Sequence, residues 1–192
     1  MAPDVRFIEA HTVGLCTEVV VACVVVALEA SSHLPTETFV SVRFSPAVLL
    51  DGRVAAAPSH VGRKIIIEVT EHARIDNCAA ERSAVDEIEG CRLAVDDAGA
   101  RYASIYHHLE LRPDYVKLDI SIVRGIDTNP ARQAMAAGMG HLVAPSGTIT
   151  IAEGIETEAE AETETLRNLG VTPGRGGILG QGYHFAMPSP LP

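Results

Sequence analysis

At 192 residues and 20.3 kDa the chain is long enough for one domain with a substantial core, but short for a full (β/α)₈ barrel, which takes roughly 250 residues and about 200 at the least. Hydrophobic residues at 47% and charged ones at 21% exclude a disordered tail, a collagen repeat and a coiled coil. With 15 basic against 25 acidic side chains the net charge is −10, which argues against a partner such as a nucleic-acid polymer, since that grip lives on phosphate neutralisation.

The N-terminal part is the least determined. Its longest apolar run, Val19 to Leu28, is too short for a membrane span, which takes about 20 residues. Valine density favours a buried strand there, and a helix stays open. Cys16, Cys23, Cys78 and Cys91 show no C-x-x-C spacing and follow no secretory signal, so buried thiols in a reducing, cytoplasmic setting are expected. The eight histidines form no zinc-spaced cluster.

From about residue 39 short β-branched runs alternate with helical stretches, the pattern of parallel strands joined by crossover helices. Strands are predicted at Phe39–Phe44, Lys64–Val69, Arg92–Asp97, Tyr115–Ile120, Thr148–Ala152 and Gly182–Ala186. Helices are predicted at Asp76–Ile88 with Asp76 as N-cap, Tyr102–Leu111 stopped by Pro113, Pro130–Val143 capped by Asn129, and Thr157–Leu169 closed by Gly170. The glycines at 174, 176, 177 and 180 lack the G-x-G-x-x-G spacing of a phosphate cradle and read as a loop.

Charged residues fall at or near the C-terminal ends of four predicted strands: Glu68 and Glu71, Asp96 and Asp97, Lys117 and Asp119, Glu153 and Glu156. In a parallel sheet those ends meet on the face where ligands bind. Lys117 and Asp119, two apart, are expected to share a side of their strand. Carboxylates gathered in a cleft repel unless protonated or bridged by a cation. Oxygen-only ligation suits Mg²⁺ or Mn²⁺ and phosphate-ester chemistry, with Lys117 able to position a water. Single acids at such places are usually helix caps; doubled acids on successive strands are not required by capping.

Six motifs in order, S-V-R-F-S-P at 41–46, E-V-T-E at 68–71, V-D-D-A-G at 95–99, V-K-L-D at 116–119, A-E-G-I-E-T at 152–157 and G-Q-G-Y at 180–183, resemble the EAL domain family. That family comprises bacterial phosphodiesterases that open cyclic di-GMP on a modified TIM barrel. The resemblance implies a metal site of Glu68, Asp96, Asp97 and Glu153, and catalytic roles for Lys117, Glu153 and Asp97. It implies ligand contacts at Gln181 and Asp119, to which Arg43 adds a cation able to hold a phosphate directly. Glu71 would anchor the 98–104 loop that couples homodimerisation to activity in the family, a loop in which Arg101 stands where a small residue is usual, with Glu156 supporting the site.

The chain departs from the family pattern at several points, Arg101 and an insertion around Pro173–Ile178 being the smaller ones. The strands carrying the Q-P and E-A-L-x-R motifs have no counterpart; Phe7–Thr12 resembles the segment after the signature, with His11 where an acid is usual. The chain 1–192 is therefore expected to be a single EAL-like α/β domain, an incomplete barrel truncated at its N-terminus. The family's S-V-N-x-S-P asparagine, a metal ligand, is here Arg43. Arginine stays charged, and at about 5 Å from a divalent ion with an effective dielectric near 20 the repulsion would be roughly 5–8 kcal/mol. The expectation is therefore a degenerate module with weak or no metal binding, acting as a cyclic di-GMP receptor or on a protein partner. An active enzyme completed by upstream strands and an eroded remnant are the alternatives. An open sheet missing two strands exposes its edges, which Val19–Val26 as a gap-filling strand or a dimer contact would cover.

Overall fold

A computed structural model of the chain describes residues 3–35, 37–53, 64–70, 77–98, 110–156, 159–169 and 179–189. Among these residues six strands, all parallel, follow one another in spatial order: β1 Val40–Phe44, β2 Ile65–Thr70, β3 Cys91–Ala98, β4 Tyr115–Leu118, β5 Ile149–Ala152 and β6 Leu179–Gly180. The helices are α1 Pro3–Thr12, α2 Cys16–Ser31, α3 Pro46–Leu49, α4 Cys78–Asp86, α5 Ile120–Val123, α6 Pro130–Val143 and α7 Ala159–Asn168. Among the described residues β1 and β6 are the sheet's edges.

Strand alternation divides the sheet into two faces. Val42, Phe44, Ile65, Ile67, Val69, Leu93 and Val95 pack under α2, α3 and α4, against Val24, Leu28, Val48, Leu49 and Val85. Val116, Leu118 and Ala152 continue that layer under α5, α6 and α7, against Ile122, Met139, Val143 and Leu166. The alternate residues, Ser41, Arg43, Glu68, Asp96 and Lys117, meet one another on the other face. Helices cover one side of the sheet, and the charges lie on the other.

Local signals start several helices. Asn129 accepts from the amides of Ala131 and Arg132 with Pro130 in the first turn, as expected from the sequence. Ser45 caps α3 ahead of Pro46. The cap of α4 is Asn77, whose side chain accepts from Ala80 N at 3.0 Å, one residue past the predicted Asp76. Asp76, Thr157, the glycines at 174–177 and most of the predicted 102–111 helix lie outside the described residues.

Three expectations are corrected. Val19–Leu28 is part of a helix outside the sheet, so it fills no gap. Cys16, Val20, Val24, Leu28 and Ser31 recur every three or four residues and form its inner stripe, and their burial against β1 overrides the β propensity of valine. The fourth strand ends at Leu118, because the Asp119 carboxylate turns to Ser121 N at 2.9 Å and starts α5. The last strand is Leu179–Gly180, not 182–186. Beyond it the chain bonds to Ile155 by both N–H and C=O, at 3.1 Å each, and Gly182 lies so close that a Cβ would sit 2.1 Å from the Ile155 oxygen.

No helix among the described residues is long and apolar enough to cross a membrane. The four cysteines are free; Cys23 is exposed and the others half-buried, less enclosed than expected.

Candidate functional site

The charged cluster is assembled by strand register. Arg43 of β1 pairs directly with Glu68 of β2, and Ser41, two residues earlier, hydrogen-bonds the Glu68 carboxylate at 2.5 Å. The Arg43 guanidinium approaches Glu68 through Nε at 3.9 Å and contacts the Asp96 carboxylate through Nη2. Half of Arg43 remains exposed, whereas Asp96 is fully enclosed.

Lys117 projects between Val116 and Leu118, both buried under helices, so its ammonium enters the opposite face. It is 3% exposed and lies 2.6 Å from Glu153, 3.0 Å from Asp96 and 3.1 Å from Glu68. Such a burial is tolerable because three carboxylates surround the ammonium.

Adjacent residues of a regular strand point to opposite faces. Asp96 and Asp97 escape that rule. Val95 pairs with Val116 and Ala98 with Leu118, so the two aspartates together stand opposite the single residue Lys117. This is a β-bulge, with Asp97 in left-handed backbone at φ +59°. The extra residue returns Ala98 to the helix-covered layer. It also lets Asp96, Asp97 and Glu153 each bring a carboxylate oxygen within 4.8 Å of the others.

These three acids suit one divalent cation. They offer only oxygen, the ligand type of Mg²⁺ and Mn²⁺. The buried Oδ1 of Asp96 has a charge partner in Lys117 but no hydrogen bond of good geometry. The Arg43 side does not suit a second ion, because a fixed positive charge already stands between Asp96 and Glu68. Four carboxylates face two bases, so one divalent ion would neutralise the cluster and two would leave it cationic.

Of the residues singled out from sequence, the structure brings Arg43, Glu68, Asp96, Asp97, Lys117 and Glu153 together. Asp119 does not share a strand side with Lys117, since it caps α5. Glu156 pairs with Arg124 at 2.6 Å. Gln181 is exposed and is tied by its backbone to Ala152 and Ile155. Glu71 and Arg101 lie outside the described residues. Ser41 was not foreseen; its spacing of two from Arg43 was the available signal.

Residues 10–188 match the family described as the EAL domain. Cyclic di-GMP phosphodiesterase PdeF of Escherichia coli strain K12 is 26% identical over 204 residues, covering 100% of this chain and 26% of that protein. The chain spans between a fifth and a third of the length of the curated relatives it matches first. The Xanthomonas citri FimX EAL domain in complex with c-diGMP superposes with a TM-score of 0.79 at 18% identity, covering 100% of this chain and 77% of that one. The calcium/cy-diGMP complex of Klebsiella pneumoniae BlrP1 gives 0.77 at 24%, covering 95% and 47%. These likenesses establish the fold as that of an α/β barrel of which six parallel strands are described.

Proposed function

The chain belongs to the EAL domain family, and from that premise we propose that it is a cyclic di-GMP receptor that hydrolyses the dinucleotide weakly or not at all. The observation that carries this reading is the Arg43 guanidinium on the Asp96 carboxylate, beside Glu68. Where the family uses a neutral ligand for an ion, this chain supplies a fixed cation whose planar fork suits a phosphate.

Asp96, Asp97 and Glu153, with Glu68 beside them, would hold one Mg²⁺ or Mn²⁺. Such an ion, when bound, polarises a phosphoryl oxygen and acidifies a water. The chain's own groups do the rest. Lys117 holds the three acids together and presents an ammonium to a phosphate oxygen or a water. Gln181 and Asp119 are the proposed contacts to the rest of the dinucleotide. A homodimer, coupled to the site through Glu71, Arg101 and Glu156, belongs to the same reading, and light scattering reads its mass.

Calorimetric titration with cyclic di-GMP, with and without Mn²⁺, tests the proposal. Binding in both conditions without matching turnover is the expected result. Efficient Mn²⁺-dependent turnover would show an active phosphodiesterase instead, the reading favoured by the three converging acids. Absence of binding in both conditions would leave a remnant with no nucleotide function.

A further inference from the structure

The same strands that end at the carboxylate cluster begin at a cleft of different character. About 750 Å³ of space opens beside the first residues of β3, β4 and β5, a volume within the usual range of small-molecule sites. Arg92 stands four residues before Asp96 on β3, which at about 3.3 Å per residue places the two ends roughly 13 Å apart.

Four cations line this cleft, Lys64, Arg82, Arg92 and Arg112, against two acids, Asp86 and Asp114. In a chain of net charge −10 this is a local reversal of sign. Two of the cations have structural work. Asp114 accepts from Leu93 N at 3.0 Å, from Arg92 at 2.7 Å and from Arg82 at 3.2 Å, and Arg82 also grips Asp86 at 2.5 Å. The side chains of Lys64 and Arg112 have no hydrogen-bond or ion-pair partner among the described residues. Arg112 is exposed and held in left-handed backbone, φ +44°, with its carbonyl accepting from Arg82 at 3.1 Å.

The wall beside them is aromatic. Phe39, just before β1, stacks on Tyr115 of β4 with ring centroids 6.4 Å apart and planes 26° from parallel, and both rings line the cleft. Phe39 is 43% exposed. Unpaired cations next to an exposed aromatic surface recognise an anion that carries a planar body.

We propose that this cleft is a second ligand site, which takes a small organic phosphate bearing a planar ring, the chemistry of a purine mononucleotide. Its phosphate lies on Lys64 and Arg112, and its ring lies against Phe39 and Tyr115. The site is separate from the carboxylate cluster and does not depend on the reading given to that cluster.

GMP, guanosine and inorganic phosphate are titrated calorimetrically into the full chain in metal-free buffer. GMP is expected to bind at least about 10-fold more tightly than either fragment. The double variant Lys64→Gln/Arg112→Gln, whose altered side chains are exposed and unbonded, should weaken GMP by about 10-fold or more with an unchanged circular dichroism spectrum. Glu153→Gln should leave GMP binding intact. The proposal is overturned if GMP fails to bind by about 1 mM, if phosphate alone binds as well, if the double variant binds normally, or if Glu153→Gln abolishes binding.

Discussion

Arg43 on β1 reaches across the whole width of β2 to lay its guanidinium on the Asp96 carboxylate of β3. Two strand spacings amount to about 10 Å, which only a side chain as long as arginine or lysine covers. The contact places a charge that cannot be removed by pH against one of the three acids that suit a metal.

Replacing Arg43 by Asn should therefore free Asp96 and restore a neutral oxygen donor. Mn²⁺ affinity, read by calorimetry, should rise by at least about 10-fold, a small part of the unscreened Coulomb energy because Arg43 is half exposed. Turnover of cyclic di-GMP should rise with it. An unchanged Mn²⁺ affinity would mean that Arg43 does not control the site.

Lys117→Met should expose the complementary dependence. Removing an enclosed ammonium from three carboxylates is expected to cost about 3–5 kcal/mol in urea unfolding. Mn²⁺ should recover part of this loss, about 2.7 kcal/mol at one hundred times its dissociation constant. A variant as stable as the parent without metal would show that the ammonium is not what holds the acids together.

The bulge makes a stereochemical prediction. Asparagine tolerates left-handed backbone and valine does not. Asp97→Asn should keep stability within about 0.5 kcal/mol while weakening Mn²⁺ binding. Asp97→Val should lose about 1–3 kcal/mol from backbone strain. Equal stability of the two variants would count against the φ of +59° at this position.

Asp114 supplies the pH test. Burial pushes its carboxyl up, but the Leu93 amide and the Arg92 and Arg82 guanidiniums outweigh burial and hold it below the ordinary carboxylate value. Its contribution is then fully present above the unfolded value near about 3.9 and is lost as pH falls through the folded one. Asp114→Asn should cost about 2 kcal/mol at pH 7, and the gap from the parent should close below about pH 4. A gap that stays constant down to pH 2.5 would remove the linkage.

Five of the six strands were legible because each is a short β-branched run followed by charge, as Ile65–Ile67 before Glu68 shows. The helix at Cys16–Ser31 was not, since valines on both its faces hide a period of 3.6 behind uniform apolarity. Tyr115–Ile120 was read too long for a different reason. Asp119 is equally plausible as a strand residue or a cap, and only the Ser121 amide decides.

At the site, the residue types were legible and their geometry was not. The doubled acid announced Asp96 and Asp97, yet strict alternation would have sent them to opposite faces; the extra residue that prevents this is visible only in the pairing of Val95 and Ala98 with Val116 and Leu118. The basic cleft escaped sequence reading altogether. Lys64, Arg82, Arg92 and Arg112 come from separate segments, and no local spacing joins them.

Because all six strands run the same way, acids collect where they end and bases where they begin. The described strands therefore carry opposite local charge at their two ends, net negative at the carboxylate cluster and net positive at the cleft. A small anion that arrives without a metal would be drawn to the end with Arg92 and Arg112 and repelled from the carboxylate end, so the two ends sort ligands by charge before any contact is made.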